Sequence, residues 1–216
     1  MRLDPIPSGL ARSTLPVAAL ALLPVLTVAI VGRAFGIPYG DLTRDPVAVL
    51  QGPWHTGMLS TLGIVGWAVG AAIAGFAAVL LRSGAADEQR RCLASFAVLT
   101  GVLLLDDAFL LHEEALPAAG MPEPAVLAGY AVAALALAWR FRAIIRRDPA
   151  LFVMAGGAFA VSILADTLLG SRMLVEDGAK AAGIVCWTAW LSRQARVALT
   201  EAAEPSAEAR ASGRRR

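Results

Sequence analysis

The chain has 216 residues, of which 57% are hydrophobic, 17% charged and 6% aromatic, with a mean hydropathy of +0.64. A soluble domain sits near about 45–50% apolar and about 25% charged, so this composition excludes a disordered chain and argues against a soluble α/β enzyme. A formal net charge of +2 leaves no electrostatic footprint for nucleic acid, and no nucleic-acid partner is expected.

A helix crossing a hydrocarbon core needs roughly 20 mostly apolar residues. In chain order, six blocks meet that length: 15–32, 57–81, 92–111, 125–145, 151–170 and 181–199. Gly36-Ile37-Pro38, Ser83-Gly84, the stretch from Pro117 to Pro124, Asp148-Pro149 and Gly178 separate them. The expectation is an all-α, polytopic integral membrane protein, with residues 1–200 as one six-helix transmembrane domain. The first block is read as a retained helix, because no A-x-A cleavage site follows it. Residues 201–216 are polar and Ala-rich without an apolar face, and are expected to form a disordered cytoplasmic tail. Cys92 and Cys186 lie inside apolar blocks and form no metal spacing or disulfide framework.

Basic residues in short loops stay in the cytoplasm. Arg2, Arg12, Arg82, Arg90, Arg91, Arg140, Arg142, Arg146, Arg147, Arg193, Arg196 and the four arginines of the tail fall on one side of the alternation. Only Arg33, Arg44, Arg172 and Lys180 fall on the other. This asymmetry places both termini in the cytoplasm of a multi-pass protein of the cell membrane. The acidic residues sort the opposite way: Asp41, Asp45, Asp106, Asp107, Glu113, Glu114, Glu123, Asp166, Glu176 and Asp177 lie on or near the outer side, with His55 and His112.

The third block ends Asp106-Asp107-Ala-Phe-Leu-Leu-His112-Glu113-Glu114. On an ideal helix with Asp106 at zero, Asp107 falls at about 100°, Glu113 at about 340° and Glu114 at about 80°. The four carboxylates would share one face, while His112, at about 240°, would point away from Asp107. An acidic residue near mid-span costs about 2.5–3.5 kcal/mol on insertion scales, so such a face must turn inward and find partners. Asp166 in the fifth block, and Glu176, Asp177 and Lys180 at the start of the sixth, lie at matching depth. Glu176 and Lys180 are spaced i, i+4.

Clustered carboxylates in a low-dielectric pocket need cations or protons. A divalent metal held by Asp106, Asp107, His112, Glu113, Asp166, Glu176 and Asp177 answers this need. Carboxylates with imidazole suit Zn, Mn or Fe, whereas carboxylates alone suit Ca or Mg. With Asp107, His112, Asp166 and Glu176 in catalytic roles, the expected function is a metal-dependent hydrolase of a lipid or lipid-linked substrate, open to the outer leaflet. The alternative is a cation- or proton-coupled transporter using the same acids. The expected partners are membrane lipids and a second copy in a homo-oligomer. The two histidines form no HxxxH pair, and the chain carries no DGxxAR or NDxxD motif.

Overall fold

The computed structural model describes the backbone of residues 8–81, 87–169 and 173–203, and the side chains of residues 21–81, 87–165 and 174–203. Among these the protein is entirely helical, with no strand. It divides into two units, Met1–Thr56 and Gly57–Arg216.

The first unit holds α1 (Ser8–Phe35), α2 (Tyr39–Thr43) and α3 (Pro46–Val49). Gly36 ends α1 in the left-handed region at φ 65°, and the Ile37 N–H reaches back to the Gly32 carbonyl at 3.0 Å. This is the Schellman stop that a Gly followed by Ile-Pro announces. Asp45 caps α3 by accepting from the Ala48 N–H at 3.0 Å, with Pro46 in the first turn.

The second unit holds α4 (Met58–Leu80), α5 (Asp87–Phe109), a π-helical turn (Leu111–Ala115), α6 (Leu116–Ala118), α7 (Glu123–Arg140), α8 (Arg142–Ile145), α9 (Ala150–Leu169) and α10 (Met173–Ala203). The long helix α10 packs along α9 and α4, α4 packs on α5, and α7 leans on α5 and the π turn.

Small residues on α4 let α10 approach closely. A Cβ at Gly66 would sit 2.6 Å from Ile184 Cγ2, and one at Gly70 would sit 3.0 Å from Thr188 Oγ1. The Thr188 hydroxyl donates to the Gly66 carbonyl at 3.0 Å across this seam. Such close backbone approach is how helices associate where lipid removes the hydrophobic drive between them. Below it lies an aromatic core: Phe96 and Phe152 meet Trp190 with ring centroids 5.0 and 4.9 Å apart. The Trp187 indole donates to Thr100 Oγ1 at 3.0 Å, and the Thr100 hydroxyl donates to the Phe96 carbonyl at 2.6 Å. The buried indole N–H of Trp190 has no hydrogen-bond partner.

Two helices, α4 and α5, are long and apolar enough to cross a membrane; Ala21–Phe35 and Ala150–Ala165 are shorter apolar stretches. Only 33% of the most apolar window in α4 and in α5 is buried within the protein, so most of that surface faces outward.

Helix boundaries differ from the sequence expectation in several elements, beginning with α1, which runs Ser8–Phe35 where the block 15–32 is expected. The block expected over 125–145 breaks at Phe141, where φ −108° and ψ 23° leave the helical region and turn a buried ring into the core. The flanking guanidiniums stay outside, Arg140 forming a forked pair with Glu88 and Arg142 donating to the Trp139 carbonyl. α5 starts before residue 92 and stops at Phe109. α10 starts at Met173 and continues to Ala203, past the expected start of the tail; residues 204–216 lie outside the described residues.

Candidate functional site

The outer end of α5 determines where the acidic groups go. Asp106 is buried at 3% exposure, one turn before the helix stops. Leu110 then takes a left-handed conformation at φ 50° and ψ 45°, and the π turn follows, its Ala115 N–H bonded to the Leu110 carbonyl at 3.2 Å. The π turn adds a residue to the register, and the left-handed step redirects the chain. Together they swing His112 back over α5, where its Nδ1 bonds Asp106 Oδ2 and the ring is buried. An unbroken helix would have sent His112 away from Asp107. In the structure one ligand atom from each of Asp106, Asp107 and His112 lies within 4.8 Å of the others. The same change moves Glu113 outward: its carboxylate is half-exposed, with Oε1 3.5 Å from His112 Nε2. Glu114 is exposed.

Each buried carboxylate is held by donors from other helices. Asp106 accepts the Tyr130 hydroxyl of α7 at 2.8 Å on Oδ1, in addition to His112. Asp107 accepts the Trp67 indole of α4 at 2.8 Å on Oδ2, and its Oδ1 pairs with the Lys180 ammonium of α10 at 2.7 Å. Unpaired, either carboxylate would be strongly destabilising; with two partners each, the acids tie α4, α7 and α10 to α5. Each ring nitrogen of His112 thus faces a carboxylate, Nδ1 toward Asp106 and Nε2 toward Glu113, and an imidazole nitrogen is a ligand that divalent metals accept.

These groups line one end of a cavity of about 900 Å³ that also reaches Glu113, Glu123, Glu176 and Asp177. The remaining wall is apolar but for Ser162. The structure therefore brings Asp106, Asp107 and His112 into one cluster and puts Glu113, Glu176 and Asp177 on the same cavity. The Asp166 side chain lies outside the described residues, although its backbone belongs to α9. His55 is exposed in the first unit, edge-on to Trp54 with ring centroids 5.5 Å apart.

Two members were not foreseen as site residues. Trp67 sits between Gly66 and Gly70, in a stretch that reads as a packing seam. Tyr130 is one of only two tyrosines in the chain and the only one in the apolar block 125–145, and that lone hydroxyl was its available signal.

Fold and site together define an all-helical protein with two membrane-competent helices and a buried carboxylate–imidazole cluster able to hold a metal. A family model described as a domain of unknown function, DUF8692, matches residues 17–194, and the chain belongs to that family. No curated protein and no solved structure matches it.

Proposed function

We propose that this protein is a six-span membrane hydrolase of lipid or lipid-linked substrates, with both termini in the cytoplasm and a divalent metal near the outer face. One observation carries the reading: three ligand atoms from Asp106, Asp107 and His112 converge at the polar end of a cavity whose other walls are apolar but for Ser162. The outward-facing apolar surface of α4 and α5 and the arginine asymmetry support the membrane setting.

Ligand atoms within 4.8 Å of one another are near enough for a single ion to be held by all three side chains. Zn, Mn or Fe fits this mixed donor set best. When bound, the metal supplies a Lewis acid and an acidified water. The protein contributes the rest. Tyr130 holds Asp106. Lys180 and Trp67 position Asp107, with the ammonium serving as its counter-charge. The apolar wall keeps bulk water from the substrate chain.

Elemental analysis of detergent-purified protein tests the reading, with wild type beside Asp107→Ala and His112→Ala and a lipid-hydrolysis assay in parallel. Near-stoichiometric Zn, Mn or Fe lost in both variants, with hydrolysis lost in step, is the expected result. Metal-free wild type after supplementation overturns it.

The completeness of the pairing favours a second reading. Both carboxylates already have partners within the chain, Lys180 among them, as in a site that exchanges a proton or cation during transport. Proton- or cation-coupled flux in liposomes, abolished by Asp107→Asn, is the outcome that selects it.

A further inference from the structure

The Asp106–Asp107–His112 cluster occupies only one end of the cavity. From Tyr130, the cavity follows α7 past Ala131, Ala134 and Ala138, and it follows α9 past Gly156 and Ala160. Between Ala131 and Ala138 on one wall, and between Phe152 and Ala160 on the other, no lining residue carries a polar side chain. Tyr130 to Ala138 spans eight residues, about 12 Å along the helix axis. The small residues on both walls keep this channel open: an added Cβ at Gly156 meets nothing within 4 Å. Among the described residues α9 packs on α10 and α7 on α5, with the cavity between α7 and α9. Two lining residues, Leu135 and Ile163, are 68% and 41% exposed, so the channel opens sideways past an apolar rim.

The polar end has a definite charge. Asp106, Asp107, Glu113, Glu123 and Asp177 line it together with Glu176, against the ammonium of Lys180 and the imidazole of His112 among the described residues. A phosphate or carboxylate head placed there would face an excess of like charge, even with a divalent cation bound.

We propose that the cavity takes a single-chain lipid with a non-anionic head, entering from the bilayer between α7 and α9, its chain along the Ala131–Ala138 wall and its head at the Asp106–Lys180 cluster. This rests on the reading of the cluster as a site acting on lipids, and it names the substrate class. The alanine and glycine walls accommodate a flexible chain, and the lateral opening spares that chain any passage through water.

Photo-crosslinking in lipid nanodiscs tests the proposal without relying on turnover or metal. The probe is a long-chain alkylamine with a diazirine at the chain terminus, its adducts located by mass spectrometry. Wild type is expected to be labelled on the groove walls of α7 and α9. Gly156→Leu fills the channel and should lower that labelling about tenfold, the effect of displacing roughly two methylenes from an apolar wall. Gly157→Leu is the control, because residue 157 is also open, its added Cβ meeting nothing within 4 Å, yet it does not line the cavity. Both variants replace a helical glycine with a better helix former, so folding is not the obstacle. The long-chain alkyl phosphate of the same length should label the groove several-fold less than the amine. Labelling spread over the outer surface, labelling insensitive to Gly156→Leu, or equal labelling by the phosphate overturns the proposal. Groove labelling in a protein that binds no metal would instead sink the hydrolase reading and leave this one standing.

Discussion

Asp107 makes its strongest contact across a sequence separation that no local pattern encodes. Its partner Lys180 lies on α10, with the ammonium 35% exposed and the carboxylate 10% exposed. Removing one member of a buried pair leaves an uncompensated charge, and typical costs run to about 3–5 kcal/mol. Partial exposure of the ammonium puts Lys180→Met near the lower end. Asp107→Asn in the Lys180→Met background removes the orphaned charge while keeping an acceptor for the Trp67 indole. The double variant is therefore expected to be more stable than Lys180→Met alone, measured by thermal unfolding in detergent. A double variant at least as unstable as the single would show that the pair contributes little. His112→Ala leaves Asp106 with only the Tyr130 hydroxyl among its named partners, and a loss of about 1–3 kcal/mol is expected in the same assay.

At the scale of the element, the π turn is what converts a stripe of acids into a site. Leu110 holds a left-handed conformation that costs a non-glycine residue about 1–2 kcal/mol, and β-branched residues tolerate it worst. Leu110→Gly should therefore preserve or raise stability, whereas Leu110→Val should lower it by about 1–2 kcal/mol and weaken metal retention as His112 shifts. Equal behaviour of the two variants would mean that the turn is not held as described. The α4–α10 seam gives a second test at this scale. Gly66→Val drives its side chain into Ile184, at an expected cost of about 1–3 kcal/mol, and Ile184→Ala should recover part of it. The same elements show what was legible in the sequence. Close packing is legible in the Gly66–Gly70 spacing, because a small-residue stripe is a local pattern. The Asp106–Glu114 segment announced a cluster because the cost of intramembrane acids is local too. The position of His112 was not legible, since helical arithmetic assumes an unbroken helix and nothing in Leu110-Leu111 signals a left-handed residue and a π turn. Trp67 and Tyr130 were hidden because their partners lie 40 and 24 residues away and depend on tertiary packing.

For the whole molecule the question is orientation, and the structure supplies a ruler for it. Glu88 near the start of α5 pairs with Arg140 at the end of α7, whereas Asp106, about 27 Å further along α5, meets Tyr130. The basic ends of these two helices thus lie together, at the opposite end of α5 from the acidic site. That separation approaches the hydrocarbon thickness of about 30 Å. If the arginine-rich end is cytoplasmic, the linker after the π turn faces outward. Met121 is 49% exposed in that linker, and Arg142 is exposed at the other end. Met121→Cys should react with a membrane-impermeant maleimide in intact cells, and Arg142→Cys should react only after permeabilisation. Buried Cys92 remains inert, and Cys186 is replaced by Ala in both backgrounds. Reaction of both positions from outside would place this unit on the surface of the membrane rather than across it. Inverted labelling would put the acidic site on the cytoplasmic side, where a lipid would reach it from the inner leaflet.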